Sequence, residues 1–229
     1  MFPRWSRTTP SRLARRVLLP GVVLPVSRLF MDLRIEGREH LRGLQGPVLI
    51  AANHQSHMDT AAIYSALPAA LRDRVAPAMA REFFAAWFGM TPAPWPLRLA
   101  NGAAYYFAVQ CFNAFPLVQR GPATRHSLRY LEELVKDGHS ILIYPEGKRT
   151  DDGRFEQFRR GAGMIALSLQ LPVVPVRLDG LYEVLPKDRL WPTRGPVRVA
   201  IGPPLAPDAA DSTEMIQRIE RAIQALGPG

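Results

Sequence analysis

The sequence has 229 residues, of which 47% are hydrophobic, and it contains 29 Lys and Arg against 20 Asp and Glu. This length suffices for the core of one domain, and a mean hydropathy of −0.06 excludes a protein with several membrane-spanning segments. The formal net charge of +9 predicts an anionic partner or substrate. Cys111 is the only cysteine, which excludes an intrachain disulfide and makes a reducing compartment the simpler assumption.

Residues 1–31 are predicted to form a basic and apolar segment that precedes a domain of residues 32–229. Several arginines come before an apolar stretch, Val17 to Val26, which Pro20 and Pro25 interrupt. The stretch is shorter than the about 20 apolar residues that span a bilayer, and no signal-peptide cleavage site follows it. We expect a helical segment at the membrane interface, with its basic residues near lipid phosphates. The alternative is a frayed arm whose apolar part packs on the core.

Five short apolar runs predict strands. They are Leu33-Arg34-Ile35, Val48 to Ala52, Ile141 to Tyr144, Val173 to Leu178, and Val197 to Ile201. Apolar residues at helical spacing predict helices from Thr124 to Asp137, where Gly138 is a stop, and from Asp211 to Leu226. Several runs lack polar alternation, as is typical of strands covered on both faces. The alternation of strands and helices predicts an α/β fold, with a mainly parallel central sheet flanked by helices.

The segment from Phe83 to Phe115 is unusually aromatic, with ten of the twenty aromatic residues (10 Phe, 6 Tyr and 4 Trp). Pro92, Pro94 and Pro96 interrupt this segment and argue against one continuous helix. The aromatic side chains could line an acyl-chain tunnel or form a membrane-facing flap. Ordinary core packing is the alternative.

A histidine and a carboxylate follow the second predicted strand, in the sequence His54-Gln55-Ser56-His57-Met58-Asp59. Where a strand turns into a helix, His54 and Asp59 can meet. The carboxylate would then hold one imidazole nitrogen protonated and leave the other free to accept a proton from a substrate hydroxyl. These residues therefore predict a general base and its orienting partner.

A structural interpretation competes with this catalytic one. Ser56 is expected to cap the next helix and to place Asp59 at its third position, which is the pattern of a capping box without catalysis. His54 could likewise be a structural histidine. His57 is expected to face away from the end of the strand.

A charged turn follows the third predicted strand, in the sequence Tyr144-Pro145-Glu146-Gly147-Lys148-Arg149-Thr150. Its Glu146, Lys148 and Arg149 should emerge at the same sheet edge as His54. A glutamate can bond a polyol hydroxyl or hold an arginine, and Arg149 can form a bidentate contact with phosphate. Charged turns are usually just solvated, so this signal is weak when taken by itself.

Two arginines come shortly after this turn. Arg159, Arg160 and Gly161 begin a helix rich in Ala and Leu that extends to Leu169. A helix start beside arginines is a ready site for an anion.

Four blocks in this order resemble the glycerolipid acyltransferase family, whose type member is the bacterial lysophosphatidate (1-acyl-sn-glycerol-3-phosphate) acyltransferase. They are Asn53-His54 through Asp59, Phe115 to Arg120, Tyr144 to Thr150, and Val173-Val174-Pro175-Val176. The resemblance extends over residues 35–180, and four ordered blocks are far more specific than one.

The resemblance implies transfer of a fatty acyl group from acyl-CoA or acyl carrier protein to a glycerol hydroxyl of a lysophospholipid, by default 1-acyl-sn-glycerol-3-phosphate. His54 would be the general base and Asp59 its orienting partner, with no acyl-enzyme, metal or cofactor. The residues implied to position the acceptor phosphate are Arg120, Glu146, Gly147 and Arg149, with Arg159 or Arg160 assisting. Pro175 belongs to the block associated with the acyl donor.

We further expect a peripheral or monotopic protein on the cytoplasmic face of the inner (plasma) membrane. Its partners would be the thioester donor, the lysophospholipid acceptor and an anionic membrane surface, without nucleic acid.

The sequence departs from the family pattern at three places. Lys148 replaces the usual threonine, and Gln119 stands where an acidic or small polar residue is frequent. The aromatic segment is longer than in compact members. These departures leave the base chemistry intact but keep the acceptor's identity open. Two other functions also stay open: a noncatalytic module that binds anionic lipid, and an acyl thioester hydrolase in which His54 activates water.

Overall fold

A computed structural model describes residues 2–117 and 124–227 of the chain. The strands in these ranges are β1 (Met31–Glu36), β2 (Leu49–Ala52), β3 (Val75–Ala80), β4 (Phe115–Leu117), β5 (Ser140–Ile143), β6 (Val173–Asp179) and β7 (Gly195–Ile201). The α-helices are α1 (Thr9–Leu18), α2 (Leu24–Arg28), α3 (Asp59–Ala66), α4 (Ala69–Arg72), α5 (Trp95–Phe112), α6 (Thr124–Lys136), α7 (Gly161–Ser168), α8 (Leu181–Val184) and α9 (Ser212–Ala225). Short 3-10 helices lie at Arg4–Arg7, Arg38–Leu41 and Arg81–Phe84.

The strands form one sheet in the order β1-β7-β6-β2-β5-β3-β4. Every neighbouring pair is parallel except β6 and β7, which are antiparallel. The five strands expected from the sequence are all present. The prediction of a mainly parallel central sheet flanked by helices is therefore confirmed.

Side chains of the central strands alternate between two apolar cores. Ile50 and Leu142 belong to the core that includes residues of α2, α3 and α8, whereas Leu49 and Ile141 belong to the core of α6, α7 and α9. All four side chains are fully buried. Burial on both faces explains why these strands read as continuous apolar runs rather than as alternating ones.

Two strands, β3 and β4, were not expected from the sequence. β3 reads Val-Ala-Pro-Ala-Met-Ala and so has one β-branched residue, whereas alanine and proline are depleted in strands. The strand forms because β5 pairs with it on one side and β4 on the other. Tertiary pairing rather than local propensity determines this part of the sheet.

The aromatic segment is divided as its prolines indicate, and most of it is helical. Phe84 ends a 3-10 helix, and the 18 residues from Trp95 to Phe112 form α5. Pro94 caps this helix and Pro96 lies in its first turn, where the missing N–H would have no intrahelical partner. The last two prolines therefore begin a helix, rather than break one.

The N-terminal segment is helical from Thr9 to Arg28, because a π-helical turn (Leu19–Val23) joins α1 to α2. In the described ranges, no helix has the length and apolar character needed to cross a membrane. Leu19 and Leu24 are buried in the core, while Val17 and Val26 remain exposed. The apolar stretch thus packs one side on the domain. Its contact with a membrane and the boundary after residue 31 remain predictions.

Arg15 joins this segment to the rest of the protein. Its buried guanidinium donates hydrogen bonds to the main-chain oxygens of Ser6 (2.9 Å), Gln110 (2.9 Å) and Val109 (3.4 Å). Val109 and Gln110 lie in the last turn of α5, where the negative end of the helix attracts a cation. Burial lowers the pKa of Arg15. Three main-chain acceptors thus hold a buried cation and fix α1 to the end of α5.

Candidate active site

The turn after β2 brings His54 and Asp59 together. His54 Nδ1 lies 2.7 Å from Asp59 Oδ2, and the carboxylate is fully buried. The same carboxylate accepts the main-chain N–H groups of Gln55 (2.6 Å) and Ser56 (2.9 Å). Its oxygens are therefore satisfied without solvent. The imidazole is held in one orientation, with Nε2 left for another partner.

The expected capping contacts are present, because Asp59 accepts the Ser56 N–H and the Ser56 hydroxyl accepts the Met58 N–H at 3.3 Å, but α3 begins at Asp59, two residues later than expected. Met58 precedes the helix and makes no side-chain cap. The carboxylate of Asp59 closes the turn, and the Ser56 hydroxyl also donates to the Leu185 carbonyl at 2.8 Å. At the first helical position Asp59 also benefits from the positive end of the helix.

The parallel pairing of β2 and β5 places the charged turn beside His54, as expected from the sequence. The imidazole stacks on the Tyr144 ring with centroids 4.1 Å apart and an interplanar angle of 14°. The Tyr144 hydroxyl lies 2.9 Å from the Thr60 hydroxyl, and the Thr150 N–H donates to the His54 carbonyl at 2.9 Å. Both the ring and the main chain of His54 are thus fixed.

Glu146 is buried and does not line the cavity described below. Its two oxygens accept the main-chain N–H groups of His54 (2.9 Å) and Glu156 (3.1 Å). Burial raises the pKa of Glu146 to about 7, while these two bonds oppose that shift. Glu146 therefore positions the main chain of His54, and its implied role in positioning the acceptor phosphate stays a prediction.

His54 lines a cavity of about 790 Å³. One part of its wall is apolar and includes Ala78 of β3, Ala104 and Ala108 of α5, and Leu131 of α6. The other part is basic, and its cationic members are Lys148, Arg149, Arg159 and Lys187. The imidazole therefore borders a space that offers both an apolar region and positive charge.

His57 also lines this cavity, so the expectation that it faces away is wrong. Its ring packs edge-on against Phe83, with centroids 5.2 Å apart. Although the residue is partly exposed on the wall, the surrounding protein and the nearby charges of Arg149 and His54 lower the pKa of His57 to about 4. Packing against Phe83, from a separate segment of the chain, determines this orientation.

Arg149 and Arg159 both reach the cavity. Arg149 Nη1 is buried, and among the described residues it has no hydrogen-bond partner. Burial also lowers the pKa of Arg149. Gly147 has φ of 72°, and a Cβ there would lie 3.0 Å from the Arg159 guanidinium. Glycine readily adopts this backbone conformation, and its lack of a Cβ leaves room for the Arg159 guanidinium.

The remaining implied site residues lie elsewhere. Arg160 occupies the N-cap position of α7, is exposed and does not line the cavity. Its positive charge is one of the smaller contributions to the lowered pKa of Asp211. Pro175 is buried within β6 and also does not line the cavity. Arg120 and Gln119 are outside the described residues. In the part of the chain that the structure describes, no three His, Cys, Asp or Glu side chains are grouped as metal ligands.

Lys187 is a cavity residue that the sequence analysis missed. Its Nζ lies 2.6 Å from Asp151 Oδ1, and Lys148 Nζ lies 3.3 Å from Asp151 Oδ2 and 2.7 Å from Glu156 Oε1. Lys187 is distant in sequence from both His54 and the charged turn, so no local pattern predicts that it lines the cavity. Much of the charge that Lys148 adds is neutralised by these carboxylates.

Comparison with known proteins places the chain among acyltransferases. The model of the family described as Acyltransferase matches residues 32–179, so the chain belongs to this family. The resemblance noted in the four sequence blocks is thereby confirmed.

Similar proteins have more specific names. The chain is 30% identical over 185 residues to the chloroplastic 1-acyl-sn-glycerol-3-phosphate acyltransferase BAT2 of Brassica napus, a match that covers 80% of the chain and 47% of the relative. It is 26% identical over 201 residues to the human 1-acyl-sn-glycerol-3-phosphate acyltransferase beta, covering 86% and 66%. The chain thus spans about half the length of the plant relative.

The crystal structure of the 1-acyl-sn-glycerophosphate acyltransferase PlsC from Thermotoga maritima has the same fold. Its TM-score is 0.68 at 25% sequence identity, and the match covers 97% of this chain and 84% of that chain.

Proposed function

We propose that the protein transfers a fatty acyl group from an acyl thioester to the glycerol hydroxyl of a lysophospholipid, with 1-acyl-sn-glycerol-3-phosphate as the acceptor. The observation that carries this proposal is the His54–Asp59 pair at a cavity with an apolar and a basic part. The relatives' names support the choice of acceptor. In this reaction a glycerol hydroxyl must lose a proton while an apolar chain and an anionic head group are both held.

The chemical step assigns a role to each nitrogen of His54. The acceptor oxygen attacks the thioester carbonyl carbon as His54 Nε2 takes the hydroxyl proton. Collapse of the tetrahedral intermediate breaks the C–S bond, and the leaving sulfur receives the proton from the imidazolium, which yields an ester and a free thiol. Asp59 stabilises the imidazolium through Nδ1. A positioned general base of this kind contributes typically about 10²- to 10⁴-fold in rate.

Arg149 and Arg159 are the proposed contacts to the acceptor phosphate. A buried guanidinium N–H without a partner costs roughly 1–3 kcal/mol, and a phosphate oxygen would remove this cost at Arg149 Nη1. Gly147 gives Arg159 the room to approach. Arg120 remains a proposed acceptor contact on the resemblance alone, whereas Arg160 and Pro175 are left out because neither lines the cavity.

The donor is acyl-CoA or acyl carrier protein, since the phosphates of the first and the acidic surface of the second both suit a protein with a net charge of +9. Neither donor requires a metal or a bound cofactor. We also propose peripheral attachment to the cytoplasmic face of the inner membrane, where the lysophospholipid resides.

The test is release of free thiol from acyl-CoA by the purified protein, with and without lysophosphatidate and with lysophospholipids that carry a head group. We expect release that depends on lysophosphatidate, and a loss of about 10²-fold or more in His54→Ala. His126→Ala is the matched control, because that histidine is exposed on α6 and does not line the cavity. Release without any acceptor would indicate a hydrolase, and near-normal turnover of His54→Ala would reject the assigned base.

A further inference from the structure

The loop between α8 and β7 exposes two consecutive large apolar side chains. Leu190 is 91% exposed and Trp191 is 82% exposed, which means that almost nothing in the protein covers them. Single exposed apolar residues are common on soluble proteins, but an adjacent pair with so little contact is an unpartnered surface. We call residues 186–194 the rim loop.

The topology places the rim loop at the edge of the sheet that carries His54. β7 is antiparallel to β6, so the loop that leads into β7 lies where β6 ends, beside the ends of β2 and β5. Just before the loop, the Leu185 carbonyl accepts the hydroxyl of Ser56 at 2.8 Å. Lys187, within the loop, lines the cavity. The base of the rim loop is therefore part of the cavity mouth.

The loop is fixed at both ends, so its tip is held away from the protein surface. The Thr193 N–H donates to the Val184 carbonyl at 2.8 Å, and the Arg189 N–H donates to the Pro186 carbonyl at 3.2 Å. Arg194 forms an ion pair with Asp32 at the start of β1. Leu190 and Trp191 thus protrude from a braced turn.

A second apolar surface reaches the same edge. The Gly195 N–H donates to the Phe30 carbonyl at 3.1 Å, so the end of the N-terminal segment enters the sheet beside the rim loop. Leu29 is 67% exposed and Val26 is 52% exposed there. Exposed apolar side chains from two distant parts of the sequence are therefore presented at the same edge of the sheet.

The composition of the rim loop favours a lipid surface over a protein partner. Of its three basic residues, Lys187 and Arg194 pair with Asp151 and Asp32, while Arg189 beside the tip forms no ion pair with the described residues. Its one acidic residue, Asp188, is close enough to Arg149 to favour the charged guanidinium. Tryptophan prefers the boundary between head groups and acyl chains, and basic side chains are attracted to anionic head groups. A protruding tip enters a fluid bilayer without the shape complementarity that a protein interface requires.

We propose that the rim loop is a lipid-contacting element, in which Leu190 and Trp191 enter the surface of a bilayer that carries anionic phosphate head groups. This contact holds the mouth of the cavity against the bilayer, so that an acceptor lipid reaches His54 without crossing water. The passage of an acceptor lipid to His54 rests on the proposed acyl transfer, whereas the contact of the rim loop with the bilayer does not.

Binding to vesicles tests the contact directly. We expect Leu190→Ser/Trp191→Ser to weaken sedimentation with vesicles of phosphatidylcholine and phosphatidylglycerol by about tenfold or more. The matched variant Leu190→Phe/Trp191→Phe keeps apolar side chains and should bind within about threefold of the unmodified protein. Both variants should unfold at the same temperature as the unmodified protein, because the replaced side chains have few contacts. Unchanged sedimentation of the serine variant would overturn the proposal.

Two further readouts separate this proposal from its alternatives. Light scattering after size exclusion would overturn it by showing a dimer that only the serine variant disrupts, since the tip would then bind a second copy. Loss of turnover confined to acyl carrier protein donors, with vesicle binding unchanged, would overturn it in favour of a carrier-protein surface.

Acyl-transfer activity then shows whether the lipid-contact proposal or the proposed function has failed. If transfer occurs, the serine variant should lose activity toward an acceptor in vesicles but keep it toward a short-chain, water-soluble acceptor. If no variant transfers acyl groups, vesicle binding still decides the role of the rim loop.

Discussion

The corner that carries His54 and the wall formed by β3 and α5 border one cavity but are built in opposite ways. At the corner, the Asp59 carboxylate receives three hydrogen-bond donors and the Glu146 carboxylate receives two. Along the wall, the lining side chains are apolar, and Ala104 and Ala108 lie one helical turn apart. Directional bonds fix the position of the reacting groups, whereas packing volume fixes the space. Substitutions at the corner should change the rate, and substitutions on the wall should change which chains fit.

The largest effect is expected from Asp59→Asn at the corner. An amide nitrogen cannot accept a hydrogen bond, so at least one of the N–H groups of Gln55 and Ser56 loses its acceptor and His54 loses its fixed orientation. We expect kcat/KM for thiol release to fall by roughly 10²- to 10⁴-fold. Asp137→Asn, at an exposed carboxylate bonded to Arg7, is the control. A loss in kcat/KM of less than about tenfold would show that Asp59 does not orient His54 for catalysis.

The second prediction concerns the proton on Glu146. The folded protein holds this proton up to a pKa of about 7, while the unfolded chain loses it near the ordinary value of 4.5. The folded state binds more protons between these values, so the free energy of unfolding should fall as the pH rises from 4.5 to 7. Relative to Glu146→Gln, which cannot titrate, the fall should be roughly 2–3 kcal/mol.

Denaturant unfolding at a series of pH values measures this difference. Glu133→Gln is the control for replacing a carboxylate by an amide at an exposed position. A constant difference between the unmodified protein and Glu146→Gln would show that Glu146 has no raised pKa.

The third prediction concerns the wall. Ala108 lines the cavity, so Ala108→Phe should shorten the space available to the acyl chain. We expect kcat/KM for long-chain acyl-CoA to fall by about tenfold, because overpacking costs on the order of 1–3 kcal/mol, while short-chain donors are little affected. Ala103→Phe on the same helix is exposed and does not line the cavity, and it serves as the control. An equal loss of kcat/KM for all acyl-chain lengths would show that this wall does not determine which acyl chains fit.

The smallest effect is expected from Lys148→Thr, which restores the residue usual in the family. Lys148 forms exposed ion pairs with Asp151 and Glu156, and such pairs contribute little. The KM for the acceptor should change by about threefold at most. Arg149→Ala should raise it much more, since one nitrogen of Arg149 is buried and unpaired among the described residues. A larger change in acceptor KM for Lys148→Thr than for Arg149→Ala would show that Lys148, rather than Arg149, contacts the acceptor phosphate.

The same contrast decides what could be read from the sequence. His54 and Asp59 are five residues apart, and the groups of the charged turn are consecutive, so local spacing was enough to bring them to one corner. The start of α3 was misplaced by two residues, because the bonds between Ser56, Met58 and Asp59 close a turn that precedes the helix. Local patterns therefore identified the residues of the corner but not all of its bonds.

The wall could not be read in this way. β3 exists because of its pairing with β4 and β5, and its own residues do not favour a strand. Likewise, His57 faces the cavity because it packs on Phe83, and Lys187 arrives from beyond β6. These features depend on contacts between segments far apart in the chain, and no short window of sequence contains them.

Arg15 gives the first helix a mechanical consequence for this wall. Its buried guanidinium holds α1 against the last turn of α5, and these hydrogen bonds would break if the two helices moved apart. Lifting α1 away would therefore loosen the far end of the helix that carries Ala104 and Ala108. Truncation of the N-terminal segment would therefore change the shape of the cavity and also remove a proposed contact with the membrane. Both effects would appear in the same variant.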